Sequence, residues 1–222
     1  MNGAPEVELV SERAVLVRLG SEISTESHAA VDWLLGRIEA RRPPWLVELV
    51  PAYCTLMALY DPGAVGDGEV QAFMSELAAS LPPGPLPACS GRTVEIPVRY
   101  HAEVAPDLAA VADETAVSVA DLVAIHTGRE YLVHMLGFRP GFPFMGTLDP
   151  RIAVPRLPAP RPRVPVGSVA IAGRQTGIYP CETAGGWRII GRTRAVLFDP
   201  ARPDPFLLRR CDRVRFVDVD VH

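Results

Sequence analysis

Residues 137–146 (GFRPGFPFMG) and 169–192 (VAIAGRQTGIYPCETAGGWRIIGR) carry the side chains in this sequence best suited to chemistry. Glycine and proline mark places where the backbone turns sharply or where another group must approach it closely. Among them stand four rings (Phe138, Phe142, Tyr179, Trp187), two guanidinium groups (Arg139, Arg192) and the Gln175–Thr176 pair, with Gly141 at the centre of the first stretch. A core strand has no need of this mixture. A pocket that takes an anionic or amide-bearing small molecule does, because the planar arginine fork matches paired oxygens and aromatic rings exclude water. Each residue also has a plainer use. Phe142 and Trp187 fit as core rings, Gln175 as a hairpin cap, Arg139 as half of an ion pair with a partner surface, and the glycines as turn or bulge residues.

Composition narrows the chemistry. The chain has 222 residues, 48% hydrophobic and 22% charged, ordinary for a globular protein with a real core. No apolar run approaches the roughly 20 residues of a membrane span. The N-terminus lacks a basic region followed by an apolar block, so no signal peptide and a cytoplasmic location are expected. All 22 basic residues are arginine. A phosphate-loop lysine, a Schiff base and a lysine general base are therefore excluded within this chain. The net charge of −4 is unevenly spread: residues 1–138 hold 8 arginines against 19 carboxylates, residues 139–222 hold 14 against 7. That asymmetry points to an anionic ligand or acidic partner for the C-terminal part. Nucleic acid is not expected, since no basic helix, zinc knuckle or aromatic RNP pattern is present. The four cysteines (54, 89, 181, 211) form no CxxC pair and have no histidine at metal-ligand spacing. Reduced structural thiols and no metal are expected, with Cys181 a secondary candidate nucleophile.

The elements that must position these residues can be read in order. Alternation over 13–19 predicts a strand, and Ser24–Thr25 cap a helix to about Arg41 with Val31, Leu34, Leu35 and Ile38 on one face. Strands come next at 45–50 and 54–60, then a helix from Asp67 with Val70, Phe73, Met74 and Leu77 inward, then a strand over 92–100. The order β-α-β-β-α-β is that of a ferredoxin-like domain, its last strand open to sharing with the C-terminal domain. Two short helices are expected at 106–113 and from Ser118 to Thr127. His126 lies at the second helix's C-terminal turn, bonded to its last carbonyls or acting as a base. Beyond Tyr131 the periodicity is that of short strands (131–138, 168–173, 175–179, 187–191, 195–198, 213–219), as in a barrel or sandwich. Residues 150–165 contain six prolines and four arginines. They are expected to run extended, as a wrap around the barrel or a docking arm.

The runs GFRPGFPFMGTLDPRIAVPR, RVPVGSVAIAGRQTGIYP, GGWRIIGRT and LFDP, in this order, resemble the allophanate hydrolase subunit 1 (KipI) family along nearly the whole chain. The resemblance implies an α+β protein: a ferredoxin-like domain over 1–90 and a cyclophilin-like β-barrel over 91–222. It implies a subunit-2 (PxpC/KipA-type) partner and, with a LamB/YcsF (PxpA-type) protein, ATP-dependent cleavage of 5-oxoproline to glutamate. ATP with Mg would be held by the assembled complex. A KipI-like inhibitor of a sensor histidine kinase is the alternative, as is a carboxyl-transfer or amide-hydrolase subunit of urea or allophanate metabolism. Departures from the family pattern fall at Tyr100-His101-Ala102, at residues 181–184 and at Cys211-Asp212.

With a lactam substrate in view, each candidate residue takes a role. Arg192, and Arg139 behind it, would face the carboxylate or a phosphoryl group; Gln175 would bond the lactam amide; Tyr179 would add a hydroxyl; Gly141 would allow close approach; Phe142 and Trp187 would wall the ring. No complete catalytic constellation is present, as suits a shared active site.

Overall fold

An N-terminal strand not anticipated from the sequence, β1 (Glu6–Ser11), pairs antiparallel with β2 (Ala14–Arg18) and changes the first sheet. The computed structural model describes residues 4–219 and divides into two units, Met1–Cys89 and Ser90–His222. In the first unit α1 (Thr25–Arg41) comes after β2, then β3 (Leu46–Pro51), β4 (Thr55–Tyr60) and α2 (Asp67–Ala79). The sheet runs β1-β2-β4-β3. Val15 and Val17, the α1 stripe Val31, Leu34 and Ile38, and the α2 stripe Val70, Met74 and Leu77 share one core. Helical spacing of three and four residues puts each stripe on one face. Ser24 caps α1 by accepting the Ser27 amide at 3.0 Å.

The strand expected at 92–100 is present but does not close this sheet. Strand β5 (Thr93–Val98) joins the second unit, parallel to β13 (Arg213–Asp218) over six registered pairs. The place beside β2 is already taken by β1, which is why the ferredoxin-like order fails at its last strand. β5 instead buries Ile96 and Val98 with Val214 and Phe216.

The rest of the second unit comprises α3 (Leu108–Thr115), α4 (Val119–Thr127), β6 (Glu130–Leu136), β7 (Pro143–Gly146), β8 (Arg161–Val164), β9 (Ser168–Ala172), β10 (Gln175–Ile178), β11 (Thr183–Gly185) and β12 (Arg188–Arg192). Seven strands form one sheet in the order β12-β9-β10-β7-β6-β13-β5. Its edges meet: Arg99, just past β5, exchanges backbone hydrogen bonds of 2.8 and 2.9 Å with Arg192 at the end of β12. The sheet is therefore a nearly closed barrel, and closure satisfies edge groups that would otherwise recruit another strand. Residues 195–198 are not a strand; Phe198 makes only an isolated bridge to Phe206.

The proline-rich stretch is a wrap. Val154 bridges to Gly173, the Leu157 amide donates to the Gly186 carbonyl at 2.7 Å, and β8 pairs with β11 in a separate two-stranded ribbon. Prolines confine this segment to an edge position because they lack the amide hydrogen a central strand needs.

His126 lies deep in the barrel core with no exposed surface, not at a solvated helix end, which removes it as a base. Its Nδ1 is 2.7 Å from the Tyr100 hydroxyl and its Nε2 3.0 Å from the Thr176 hydroxyl. Thr176 donates its own proton to the Ala170 carbonyl at 3.2 Å. Nε2 must then donate to Thr176, and Nδ1 must accept from Tyr100, so every polar atom of this hydrogen-bonded series is matched. Cys54 and Cys181 are free thiols, whereas Cys89 and Cys211 are not, which corrects the expectation of four reduced cysteines.

Candidate functional site

Strands β9, β10 and β12 bury both faces. Val169, Ile171, Ile178 and Ile190 point into the barrel, while Ala170, Ala172 and Ile189 point outward with Phe142, Tyr179 and Trp187. Small outward residues leave room for rings. Gly177 is the extreme case, since a Cβ there would lie 2.9 Å from Phe142 Cζ. Gly141, at φ +81°, turns the chain so that Phe142 enters this space; its φ is one that side-chain-bearing residues rarely adopt.

Phe138, Tyr179 and Trp187 pack edge to face with Phe142, and Phe144 is tilted at 56° to it. From Phe142 the centroid distances are 4.8 Å to Phe144, 5.2 Å to Tyr179, 5.6 Å to Trp187 and 5.6 Å to Phe138. Such offsets are those the aromatic quadrupole favours. Together the rings wall a cavity of about 270 Å³, whose lining also includes Gly185 and Gly186 and, from the wrap, Arg156 and Pro160. The Arg156 guanidinium lies 5.8 Å over the Trp187 ring. Arg139 lies 5.6 Å over Phe138 and donates from Nε to the Thr183 hydroxyl at 3.1 Å. Phe138 is 58% exposed and sits at φ +64°, a conformation that non-glycine residues hold only where the surroundings enforce it.

Burial raises the Tyr179 pKa, while a hydrogen bond from the Trp187 backbone and the charges of Arg156 and Arg161 oppose the shift. The phenol therefore stays protonated at neutral pH. The lining contains neither a carboxylate nor an imidazole. Chemically the recess can grip and orient a flat ligand and place a cation beside its polar edge. A proton-transfer group would have to come from elsewhere.

Of the residues singled out in the sequence, the structure gathers Phe142, Tyr179 and Trp187 at this recess, with Gly141 turning Phe142 in and Arg139 beside Phe138. Arg192 stands apart. It is five residues beyond Trp187 along β12, roughly 17 Å at 3.3–3.4 Å per strand residue, and lines a different recess. Gln175 opens β10 in register with Ala172 and Gly146 and lines neither. The expectation of one hollow shared by Gln175, Trp187 and Arg192 is thus corrected: strand rise separates residues that sequence proximity had grouped. Phe144 and Arg156 were missed. Phe144 is visible in the Phe142-Pro143-Phe144 alternation, but Arg156 reaches the site only through the wrap.

Gly185 makes a sharp prediction. A Cβ there would lie 2.3 Å from the Tyr179 hydroxyl. Gly185→Ala is expected to destabilise the second unit by about 1–3 kcal/mol through overpacking and to displace the phenol, read as loss of quenching or a spectral shift of Trp187 fluorescence. Unchanged stability and spectrum would show the backbone at Gly185 to be pliable.

The chain belongs to the carboxyltransferase domain family, subdomains C and D, which matches residues 5–208. Within it, the B subunit of the Bacillus subtilis (strain 168) 5-oxoprolinase is 39% identical over 96% of this chain and 92% of its own length. The crystal structure of TTHA0988 superposes with a TM-score of 0.78 at 40% identity, covering 93% of this chain; the chain spans only 40% of that protein. The K. lactis urea amidolyase superposes with a TM-score of 0.83 over 97% of this chain and 15% of its own, at 20% identity, a likeness of fold alone. No helix among the described residues is long and apolar enough to cross a membrane.

Proposed function

We propose that this chain is the B-type subunit of an ATP-dependent 5-oxoprolinase, acting with a subunit-2 (PxpC/KipA-type) protein and a LamB/YcsF (PxpA-type) protein in the cytoplasm. In this reading the first unit is ferredoxin-like, with β1 in the closing place, and the second is a cyclophilin-like barrel. The observation that carries the reading is the aromatic recess in a chain 39% identical, nearly end to end, to the B subunit of a 5-oxoprolinase. A five-membered lactam is flat and small enough for a cavity of about 270 Å³, and its carboxylate would face Arg156 in the lining. In amide hydrolysis driven by ATP the lactam oxygen takes the γ-phosphoryl group and ADP leaves. Water then adds to the activated ring carbon, the C–N bond breaks as the nitrogen takes a proton, and a second water hydrolyses the resulting acyl phosphate to glutamate and phosphate. This chain's part is to hold the ring and exclude solvent, because the recess lacks a base. Partner subunits supply the remaining groups, and Phe138, exposed and held in a strained conformation, is the surface they would cover. Mg-ATP belongs to the assembled complex.

The test is reconstitution of the three proteins with ATP and 5-oxoproline, with glutamate release as the readout. Turnover should need all three, and Trp187→Leu in an intact complex should lower it at least tenfold. No ATP-dependent glutamate from the complete mixture would overturn the proposal. Turnover of Trp187→Leu within twofold of the parent would overturn the recess as its site.

A further inference from the structure

Many arginines of the second unit meet a carboxylate. Arg161 pairs with Asp107 at 2.6 Å, Arg188 with Glu114 at 2.7 Å, Arg151 with Asp149 at 3.0 Å, and Arg209 with Asp204 at 2.6 Å. A second recess, about 490 Å³, has a different lining. Arg99, Arg192 and Arg194 line it, and none of its lining residues is acidic. Arg192 donates from Nε to the Val166 carbonyl at 3.1 Å, a contact that fixes its fork at the wall without neutralising it. Arg194 is exposed and has no hydrogen bond or ion pair among the described residues.

The placement of Arg99 and Arg192 sharpens the point. They are partners in the bridge that closes the barrel. Side chains directly opposite one another on antiparallel strands emerge on one face, which puts both guanidinium groups on the same side of the wall. The wall behind them does not yield easily. The Thr193 amide donates to the Gly167 carbonyl at 2.8 Å, and Gly167 holds φ +79° with no room for a Cβ, which would lie 2.1 Å from the Thr193 oxygen. A rigid, concave, cationic surface without an acidic residue in its lining concentrates counter-ions.

We propose that this recess is a binding site for a phosphate-bearing polyanion. A single exposed guanidinium gains little from a monovalent anion in water at ordinary salt. A ligand with two or more charges and tetrahedral oxygens meets several forks at once, as arginine clusters meet phosphate elsewhere. The site is separate from the aromatic recess, and the inference goes beyond the 5-oxoproline reading because it requires neither partner subunits nor turnover.

Calorimetric titration of the isolated full chain with inorganic pyrophosphate at low ionic strength tests it. One saturable site is expected, weakening steeply as salt is raised. The double variant Arg192→Gln/Arg194→Gln should bind at least tenfold more weakly, and Arg194→Gln alone, a surface change that leaves folding intact, at least threefold. Trp187→Leu should bind as the parent does. Succinate, a dicarboxylate, should bind at least tenfold more weakly than pyrophosphate. Absence of saturable binding, pyrophosphate affinity unaltered in Arg194→Gln, or succinate binding as tightly would each overturn the proposal.

Discussion

Asp107→Ala is expected to destabilise the second unit by about 3–5 kcal/mol, the range for removing one partner of a buried ion pair. Asp107 lies at the N-terminus of α3 and is 5% exposed. Its carboxylate takes both arms of Arg161, at 2.6 and 2.9 Å, and the Ile189 amide at 2.7 Å. Its own amide donates to the Ile189 carbonyl at 3.0 Å. One side chain thus ties α3 to β12 and to β8 of the wrap. Alanine would leave the Ile189 amide and the partly buried Arg161 without their acceptor, and both penalties add. The effect should reach function, since Arg161 adjoins Pro160 in the lining of the aromatic recess. Asp107→Asn keeps an acceptor for Ile189 and should lose less. Denaturant unfolding of the three proteins, read by circular dichroism, checks the order. A loss below about 1 kcal/mol for alanine would mean that water replaces the clamp, as it does for exposed pairs.

How much of this was legible beforehand depended on where each residue's partner lies. Helices α1 and α4 could be placed because Ser24 and Ser118 carry their caps three residues from the amide they accept, a purely local signal. Strand β1 was missed because its Glu6-Val7-Glu8-Leu9 alternation spans only four residues of an otherwise exposed edge, too short to separate from a loop. Strand β5 was found but misassigned, since its partner β13 is more than 110 residues away and nothing local distinguishes a parallel partner. At the site, Phe142, Tyr179 and Trp187 stood out because rings beside glycines mark tight backbone. Arg156 did not, because its position over Trp187 depends on a wrap whose path is set by bridges at Val154 and Leu157. Grouping Gln175 and Arg192 with the rings failed for a geometric reason: a strand extends, so a few residues of sequence become more than a recess's width.

The buried histidines make the second unit acid-sensitive, and the direction of their shifts sets the sign. Burial lowers the His126 pKa from 6.5 to about 3; burial, then the charge of Arg210, lowers that of His134 to about 4, a Gly146 backbone bond opposing. Between those values and 6.5 the unfolded chain binds protons that the folded chain does not. Their stabilisation is therefore complete above about pH 6.5 and is lost as pH falls toward 3–4. At about 1.36 kcal/mol per proton per pH unit, with each unfolded histidine half-protonated at the outset, the two together should lower stability by about 3 kcal/mol between pH 6.5 and 5. Hydrogen exchange of the β9 and β10 amides, corrected for intrinsic rates, measures this. His126→Gln can still donate to Thr176 but cannot titrate. It should be less stable at pH 7.5, since it leaves the Tyr100 hydroxyl and the Phe216 face, 4.5 Å from the imidazole, poorly matched. Its acid loss over the same interval should fall to about half the parent's, the part due to His134. An acid slope identical to the parent's would mean that His126 takes up its proton inside the folded barrel, where Tyr100 would then have to turn its hydroxyl away from Nδ1.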